Sequence, residues 1–311
     1  MHAPFITPYT AAPIRPGSWA AWRVALRPKT LWIAAVPVVV ATCLAWSAAG
    51  VFDPAIALIA LAASVLMQVV TNLQNDIGYT ERRTGIGGRV GLPRATANGW
   101  LSRSAVNRAI LATILVAGIV ALPLMLRGGW PIVLIGVAST LAAYGYMGGP
   151  RPIAYTPFGE LTVFAFFGLT AVCGSYYIQA GEVGAVAWIA GVAIGSHAAG
   201  VLLVNNYRDR AHDAATGRRT LPVLIRAATS LRLFAVLEFL PFALALVLTA
   251  SMASGWLALP LLALPSALRL VRDVAVTPDG PAQNALLFRA VMVEVAFGML
   301  LSLGALAHRS L

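Results

Sequence analysis

Charged residues are scarce in this sequence of 311 residues. Asp, Glu, Lys and Arg together make up 11% of the chain, whereas an ordinary soluble domain has about 25%. Hydrophobic residues make up 59%, and the mean hydropathy is +0.81. This composition excludes an ordinary soluble enzyme and favours one membrane domain with several spans.

Cysteine is rarer still. Cys43 and Cys173 lie in separate apolar runs without the spacing of a metal or redox motif, so we expect both to be inert core residues. The first 17 residues are rich in Pro and lack the basic-then-apolar order of a signal peptide. We therefore expect a disordered cytosolic arm at 1–17 and one transmembrane domain at 18–311.

Apolar stretches of roughly 20 residues, the length that crosses a bilayer, recur along the whole chain. They lie at about 31–49, 55–74, 105–126, 129–146, 158–180, 184–206, 228–251, 255–270 and 285–307. The eighth is short and carries Pro260 and Pro265, so we expect it to be kinked or to cross incompletely. The sequence predicts an all-α fold with about nine transmembrane helices.

Basic residues outnumber acidic residues by 22 to 11, and they are unevenly placed. If the N-terminus is cytosolic, nine spans put 20 of the 22 cations on the cytosolic side and leave Arg127 and Arg309 on the other. Membrane topology thus explains the excess of basic residues, and no nucleic-acid partner is needed to account for it. We expect a protein integral to the cell (inner) membrane, with two long polar loops, 74–104 and 207–227, in the cytosol.

The second polar loop begins with the segment NNYRDRAHD. Its Asn205, Asp209 and Asp213 are spaced four residues apart, which places an amide and two carboxylates along one helix face. Paired carboxylates at a membrane helix end are costly unless a cation binds them, and Mg²⁺ shared with a diphosphate would do so. The alternative is a solvated helix end whose acids pair with Arg208 and Arg210.

The first polar loop begins similarly, with NLQND. Asn72 and Asp76 are again four residues apart, and Glu81 follows. If both helix ends face the cytosol, these acids can converge with the two aspartates of the second loop at one cavity mouth. The alternative is simple capping of the helix end by Asn75 and Asp76.

Arginines follow the acids in both loops. Arg89 and Arg94 lie in the glycine-rich stretch TGIGGRVGLPRATANGW, and Arg218 and Arg219 come soon after the second pair of aspartates. Glycine lets backbone N–H groups approach an anion, and arginine adds bidentate contacts to its oxygens. These residues indicate a diphosphate site, although each could instead be a positive-inside anchor.

Together these segments resemble the UbiA superfamily of intramembrane prenyltransferases, most closely its 1,4-dihydroxy-2-naphthoate polyprenyltransferase branch of menaquinone synthesis. The likeness covers most of the chain. It is carried by LRPKT, ND, RVGLPRA, YGYMGGPRP, FFG, GSYYIQ and NNYRDRAHDAATGRRTLPV. The resemblance implies a bundle of nine helices around a central cavity that opens toward the cytosol and laterally to lipid.

The resemblance also implies Mg²⁺-dependent transfer of a polyprenyl group from its diphosphate to an aromatic ring carbon, with loss of CO₂ in the naphthoate branch. It implies that the catalytic, metal-binding residues are Asp76, Asp209 and Asp213. The predicted substrate-binding residues are Asn72, Asn75, Glu81, Arg89, Arg94, Tyr144, Asn205, Arg218 and Arg219. The expected partners are a polyprenyl diphosphate, an aromatic acceptor and membrane lipid.

One departure from the family pattern leaves alternatives open. Members usually carry acids three and seven residues after Asp76, where this sequence has Tyr79 and Arg83. Either Glu81 completes the metal site, or fewer metals bind, or the donor or acceptor differs. The alternative acceptors are 4-hydroxybenzoate and homogentisate, and a non-catalytic transporter is the alternative from another class.

Three further acids lie in or beside apolar helices. Glu238 and Glu294 are either functional intramembrane acids or partners of Arg232 and Arg289, which lie within two turns of them. Glu160, at the start of the fifth predicted span, either borders the acceptor cavity or caps its helix.

Overall fold

A computed structural model describes residues 14–82, 91–278, 280 and 282–310. These residues form helices joined by short loops, and no strand occurs among them. The α-helices are α1 (Trp19–Leu26), α2 (Trp32–Ala49), α3 (Pro54–Glu81), α4 (Arg103–Gly128), α5 (Trp130–Met147), α6 (Gly159–Val163), α7 (Ala171–Ala180), α8 (Ala185–Ala215), α9 (Leu221–Leu224), α10 (Ala227–Ser251), α11 (Leu264–Val276) and α12 (Gln283–Ser310). The 3₁₀ segments are Pro28–Thr30, Ile153–Tyr155 and Gly255–Ala263, and a π-helical segment spans Phe164–Thr170. The predicted all-α fold is confirmed.

Eight helical stretches in the described residues are long and apolar enough to cross a membrane. They are Trp19–Ala49, Pro54–Glu81, Arg103–Gly128, Trp130–Met147, Gly159–Ala180, Ala185–Ala215, Ala227–Ser251 and Gln283–Ser310. The chain is therefore an integral membrane protein. Eight of the nine predicted stretches match these helices.

The remaining predicted stretch, 255–270, is a broken helix. Its first part is the 3₁₀ segment, which contains Pro260, and its second part is α11, which begins beside Pro265. Proline lacks the N–H that continues an α-helix, so a regular span is interrupted here. The broken helix still follows α12 along its length: Trp256 contacts Gly304, and Asp273 pairs with Arg289 at 2.7 Å.

Two helices extend well beyond their predicted ends. α3 continues to Glu81 rather than stopping near 74, and α8 continues to Ala215 rather than stopping near 206. Hydropathy marks where the chain turns polar, whereas a helix ends only where its backbone hydrogen bonds end. The aspartates therefore lie on helices and not in loops, which gives them fixed directions.

The bundle has two chemically different ends. Asp76, Asp209 and Asp213 lie at one end, here called the aspartate end. At the opposite end Arg127 pairs with Asp53 at 2.8 Å, and Arg309 lies over the Trp46 ring. The two cations predicted to lie apart from the others therefore occupy the end away from the aspartates.

The described N-terminal residues are tied to the fold. The backbone N–H of Gly17 donates to Trp100, and the Ser18 hydroxyl caps α1 by accepting from Ala21. Ile14 packs against the apolar cluster under α1. Residues 14–17, which the sequence assigned to the arm, belong to the folded part, and residues 1–13 lie outside the described residues.

The buried acids Glu238 and Glu294 do not pair with the arginines expected from the sequence. Arg289 binds Asp273, as stated above, and Arg232 is exposed. Glu238 Oε2 instead lies 3.3 Å from His197 Nδ1. Of the two alternatives from the sequence, pairing with these arginines is therefore wrong, because Glu238 on α10 meets His197 on α8 rather than a neighbour along its own helix.

Close helix packing shapes the wall of the central cavity. Gly168 of the π-helical segment touches the backbones of Gly191 and Gly195 on α8, so a side chain at Gly168 would clash. Such contact between small residues is a common way for membrane helices to approach one another. Phe166 and Phe167, on the same segment, line the cavity.

Candidate active site

A cavity of about 580 Å³ runs through the bundle from the aspartate end. Its polar end is lined by Arg27, Asn72, Asn75, Tyr79, Arg94, Asn205, Asn206 and Arg218. Its far end is apolar and is lined by Leu124, Met125, Ile132 and Ile178. Ile178 lies near the opposite end of the bundle, since its carbonyl accepts from Arg127. A molecule with an anionic head and a long apolar chain would place its head at the polar end of the cavity and its chain at the apolar end.

Asp209 orients a neighbouring arginine on α8. Arg208 donates to both carboxylate oxygens of Asp209, through Nε at 2.9 Å and Nη2 at 2.8 Å. The same guanidinium donates to Asn205 and to Asn284 of α12, each at 2.9 Å. Arg208 and Asp209 are both almost fully buried. A bidentate pair of this kind fixes the plane of the guanidinium.

Asp213 holds a second arginine, Arg218, across the turn that follows α8. Nη1 of Arg218 donates to Asp213 at 2.7 Å and to the Tyr79 hydroxyl at 2.8 Å. Gly217 adopts φ +75°, a conformation that glycine favours, and this turn brings Arg218 back to the helix end. Burial opposes the charge of Arg218, but Tyr79 and Asp213 outweigh it and raise its pKa.

Asp76 anchors the loop that carries Arg94. One of its carboxylate oxygens accepts from the Ala95 N–H at 2.8 Å, and the other accepts from the Thr96 N–H and hydroxyl at 2.8 and 2.7 Å. Asp76 is fully buried. Three donors on one carboxylate hold the loop firmly against α3 and set the position of the preceding residue, Arg94.

Tyr79 connects the two groups of residues. The Arg94 guanidinium lies 4.1 Å from the centroid of the Tyr79 ring, and that of Arg218 lies 5.0 Å from it. Arginine over an aromatic face is a favourable cation–π contact. Sequence reasoning noted Tyr79 only as a missing acid and overlooked this role. The available signal was its position one helical turn after Asp76.

Comparison with known proteins assigns the chain to a family. The model of the UbiA prenyltransferase family matches residues 34–292. The chain belongs to the UbiA prenyltransferase family. The predicted resemblance is thereby confirmed, and the chain is a prenyltransferase.

Curated relatives in the UbiA family cover nearly the whole chain. A 1,4-dihydroxy-2-naphthoate octaprenyltransferase of Escherichia coli (strain K12) is 33% identical over 291 residues, 91% of this chain and 94% of the relative. An enzyme of the same name from Mycobacterium tuberculosis (strain ATCC 25618 / H37Rv) is 35% identical over 83% of this chain and 87% of its own length.

Solved structures share the fold at low identity. A UbiA homologue from Archaeoglobus fulgidus bound to DMAPP and Mg²⁺ superposes with a TM-score of 0.65 at 15% identity, covering 94% of this chain and 99% of that one. An apo UbiA homologue from Aeropyrum pernix K1 gives 0.67 at 16% identity, covering 86% and 96%. The helical bundle is therefore that of the UbiA family.

The predicted asparagines of this UbiA member take different roles. The Asn72 side chain donates to the Leu26 carbonyl at 2.8 Å and to the Thr30 hydroxyl at 3.2 Å, which ties the LRPKT segment to α3. Asn75 lines the cavity, and its Oδ1 is buried without a hydrogen-bond partner among the described residues. Asn205 also lines the cavity and accepts from Arg208.

Glu81 is not brought to the site. It is the last residue of α3 and is exposed, and it is absent from the described residues that line the cavity. Five residues along an α-helix turn the side chain by about 140°, so Glu81 points away from the direction of Asp76. The structure therefore gives Glu81 no place among groups that could complete a metal site.

Two other predicted residues also lie apart from the cavity. Tyr144 is 53% exposed, whereas Tyr146, two residues later on α5, lines the cavity. Arg219 is exposed next to the buried Arg218. Sequence spacing did not distinguish these neighbours because each pair points in different directions. Arg89 lies outside the described residues.

The placement of the acids bears on whether they can hold a metal ion. In the described part of the chain, no three His, Cys, Asp or Glu side chains lie close enough together to hold one. Mg²⁺ is commonly held by one or two carboxylates together with substrate phosphates, and Asp209 and Asp213 are one helical turn apart. Their oxygen donors fit that pattern. Neither carboxylate is among the described residues that line the cavity, however, and a metal there competes with the guanidinium groups of Arg208 and Arg218.

Proposed function

We propose that this UbiA-family enzyme transfers a polyprenyl group from its diphosphate to 1,4-dihydroxy-2-naphthoate, with loss of CO₂, in menaquinone synthesis. The observation that carries the proposal is a single cavity that joins a guanidinium-lined end to a long apolar channel. The names of the relatives at 33–35% identity support the naphthoate acceptor over 4-hydroxybenzoate and homogentisate.

Arg94 and Arg218 bind the diphosphate in this proposal. Both line the cavity, and both are held in place by acids behind them, Arg94 through the loop anchored on Asp76 and Arg218 by Asp213. Donors fixed before the reaction stabilise the charge that develops on the departing diphosphate without reorganising. In this proposal Asp76 acts as a positioning residue for Arg94, and its role as a metal ligand, which the resemblance implies, stays a prediction.

The apolar channel receives the polyprenyl chain and excludes water. An allylic cation develops at C1 as the bond to the diphosphate oxygen breaks, and the bonding electron pair leaves with the diphosphate. Phe166, Phe167 and Tyr146 line the cavity, and aromatic faces stabilise a nearby cation. The ring carbon bearing the carboxylate then bonds to C1, and CO₂ departs and returns its bonding electrons to the ring.

Asp209 and Asp213 are the residues that would hold Mg²⁺. Bound there, the ion would act as a Lewis acid and withdraw charge from the diphosphate. A UbiA homologue structure containing Mg²⁺ supports a metal requirement. Independently of the ion, Asp213 supplies a counter-charge to Arg218 and fixes its orientation through a hydrogen bond.

The aspartate end faces the cytosol of the cell (inner) membrane in this proposal. The positive-inside rule supports this orientation, because Arg127 and Arg309 lie at the opposite end and 20 other cations are expected on the aspartate side. A cytosolic opening gives the charged substrates direct access to the site.

Diphosphate release tests the proposal. The purified protein should release diphosphate only when polyprenyl diphosphate, an aromatic acceptor and Mg²⁺ are all present. Asp209→Asn should lower the rate at least tenfold, whereas Asp273→Asn, in the half-exposed pair with Arg289, should not. Release that is independent of the acceptor, or of Mg²⁺, would contradict the proposed reaction.

A further inference from the structure

A buried amide in the cavity wall, Asn206, is paired with a buried acid that is not part of the lining, Glu160. The side-chain N–H of Asn206 on α8 donates to Glu160 Oε1 on α6 at 2.9 Å. Glu160 is 6% exposed and Asn206 is 2% exposed. Arg218 lies close enough to Glu160 to interact with its charge, but its hydrogen bonds go to Asp213, Tyr79 and the Ala154 carbonyl instead. Burying the carboxyl group of Glu160 beside a membrane cavity costs free energy. This cost suggests that Glu160 has a function in the cavity.

The pairing fixes which way the Asn206 amide points. A carboxylate oxygen of Glu160 accepts the hydrogen bond, so the NH₂ group of Asn206 faces Glu160 and the carbonyl oxygen faces away from it. Asn206 lines the cavity. Its Oδ1 is buried and finds no hydrogen-bond donor among the described residues. The cavity wall therefore presents an unsatisfied acceptor to whatever binds there.

The chemistry of the substrates decides which one this oxygen can bind. A polyprenyl chain has no hydrogen-bond donor. An ionised diphosphate offers only acceptor oxygens, which an amide oxygen with a carboxyl group behind it does not attract. The hydroxyl groups of the aromatic acceptor are donors, so of the two organic substrates only the acceptor can donate a hydrogen bond to Asn206 Oδ1.

The position of Asn206 also suits the aromatic acceptor. It lies three residues before Asp209 on α8, which is about 4.5 Å deeper along the helix axis. Asn206 therefore lies just inside the cavity from the charged groups. In the proposed complex, C1 of the polyprenyl chain would lie at this same depth. Tyr146 lines the same cavity and provides an aromatic surface for a ring.

We propose that Asn206, oriented by Glu160, binds a ring hydroxyl of the aromatic acceptor and selects hydroxylated rings over alkoxylated ones. The inference rests on the proposed prenyl transfer and assigns the acceptor side of the same cavity. Glu160 is a positioning residue, because it acts through Asn206. When the ring hydroxyl donates a hydrogen bond to Asn206 Oδ1, electron density on the ring oxygen increases. This increase favours attack of the ring carbon on C1 of the polyprenyl chain.

Steady-state kinetics of the purified protein test this assignment. Asn206→Leu should raise KM for the naphthoate acceptor about tenfold, the loss expected for one buried hydrogen bond, and change KM for polyprenyl diphosphate less than twofold. Glu160→Gln should raise the acceptor KM less than Asn206→Leu does and should leave KM for polyprenyl diphosphate unchanged. A Gln side chain can both donate and accept, so the Asn206 amide could then face either way. Asn107→Leu, at an exposed position of α4 outside the cavity, is the matched control and should change neither KM.

A methylated acceptor makes the test independent of folding. In the wild-type protein, replacing a ring hydroxyl by methoxy should lower kcat/KM about tenfold for the hydroxyl that Asn206 binds. Asn206→Leu should no longer distinguish the two acceptors at that position. An equal methoxy penalty in both proteins would overturn the inference and leave prenyl transfer intact. A wild-type protein that transfers to no acceptor would overturn both.

Discussion

Arg218 donates a hydrogen bond to the Tyr79 hydroxyl at 2.8 Å, across 139 positions of sequence. This contact joins α3 to the turn after α8, the two segments whose polar ends were predicted to converge. It places one arginine beside the loop that carries Arg94. The polar end of the cavity is therefore assembled from both segments.

Removing the carboxylate partner of Arg218 should destabilise the protein. Asp213→Asn leaves a buried guanidinium without its counter-charge, which typically costs about 3–5 kcal/mol. The melting temperature of the detergent-purified protein measures the effect. Asp273→Asn is the matched control, because its pair with Arg289 is partly exposed and should contribute at most about 1 kcal/mol. Equal shifts in the two variants would contradict a structural role for the Asp213 pair.

Loosening the loop anchored by Asp76 should weaken diphosphate binding. Thr96→Val keeps the size of the side chain but removes the hydroxyl that donates to Asp76 at 2.7 Å. We expect KM for polyprenyl diphosphate to rise about three- to tenfold, with little change in the acceptor KM, because Arg94 follows the loop. An unchanged KM would show that Asp76 does not act through Arg94.

The two functions of Tyr79 can be separated. Tyr79→Phe removes the hydroxyl that accepts from Arg218 but keeps the ring beneath Arg94, so KM for polyprenyl diphosphate should rise by less than tenfold. Tyr79→Leu also removes the aromatic face and should raise it further. Tyr144→Phe, at an exposed site on α5, should have no effect. If Tyr79→Leu raised KM for polyprenyl diphosphate no more than Tyr79→Phe does, the contact between the Tyr79 ring and Arg94 would have no role in binding.

Glu81 should be dispensable for the metal requirement. Since its side chain is exposed and points about 140° away from the direction of Asp76, Glu81→Gln should leave the Mg²⁺ concentration for half-maximal activity unchanged. Asp209→Asn should increase that concentration. The opposite ranking in a Mg²⁺ titration would restore Glu81 as a metal ligand.

Sequence reasoning identified segments better than it identified partners. Apolar length and charge asymmetry predicted the bundle, and acids followed by arginines marked the end where Arg94 and Arg218 lie. The pairing of Asn206 with Glu160 was missed because it joins two helices 46 positions apart. Periodicity along one helix does not identify a partner on another. The direction of Arg218 rather than Arg219 likewise depends on the turn at Gly217.

The mass of the product tests the central claim most directly. The purified protein, supplied with a polyprenyl diphosphate, 1,4-dihydroxy-2-naphthoate and Mg²⁺, should form one product whose mass equals the acceptor plus the polyprenyl group minus CO₂. With 4-hydroxybenzoate or homogentisate in place of the naphthoate, the yield should be far lower. A product that retains the carboxylate, preferential use of either of those acceptors, or recovery of unmodified substrates would contradict the account.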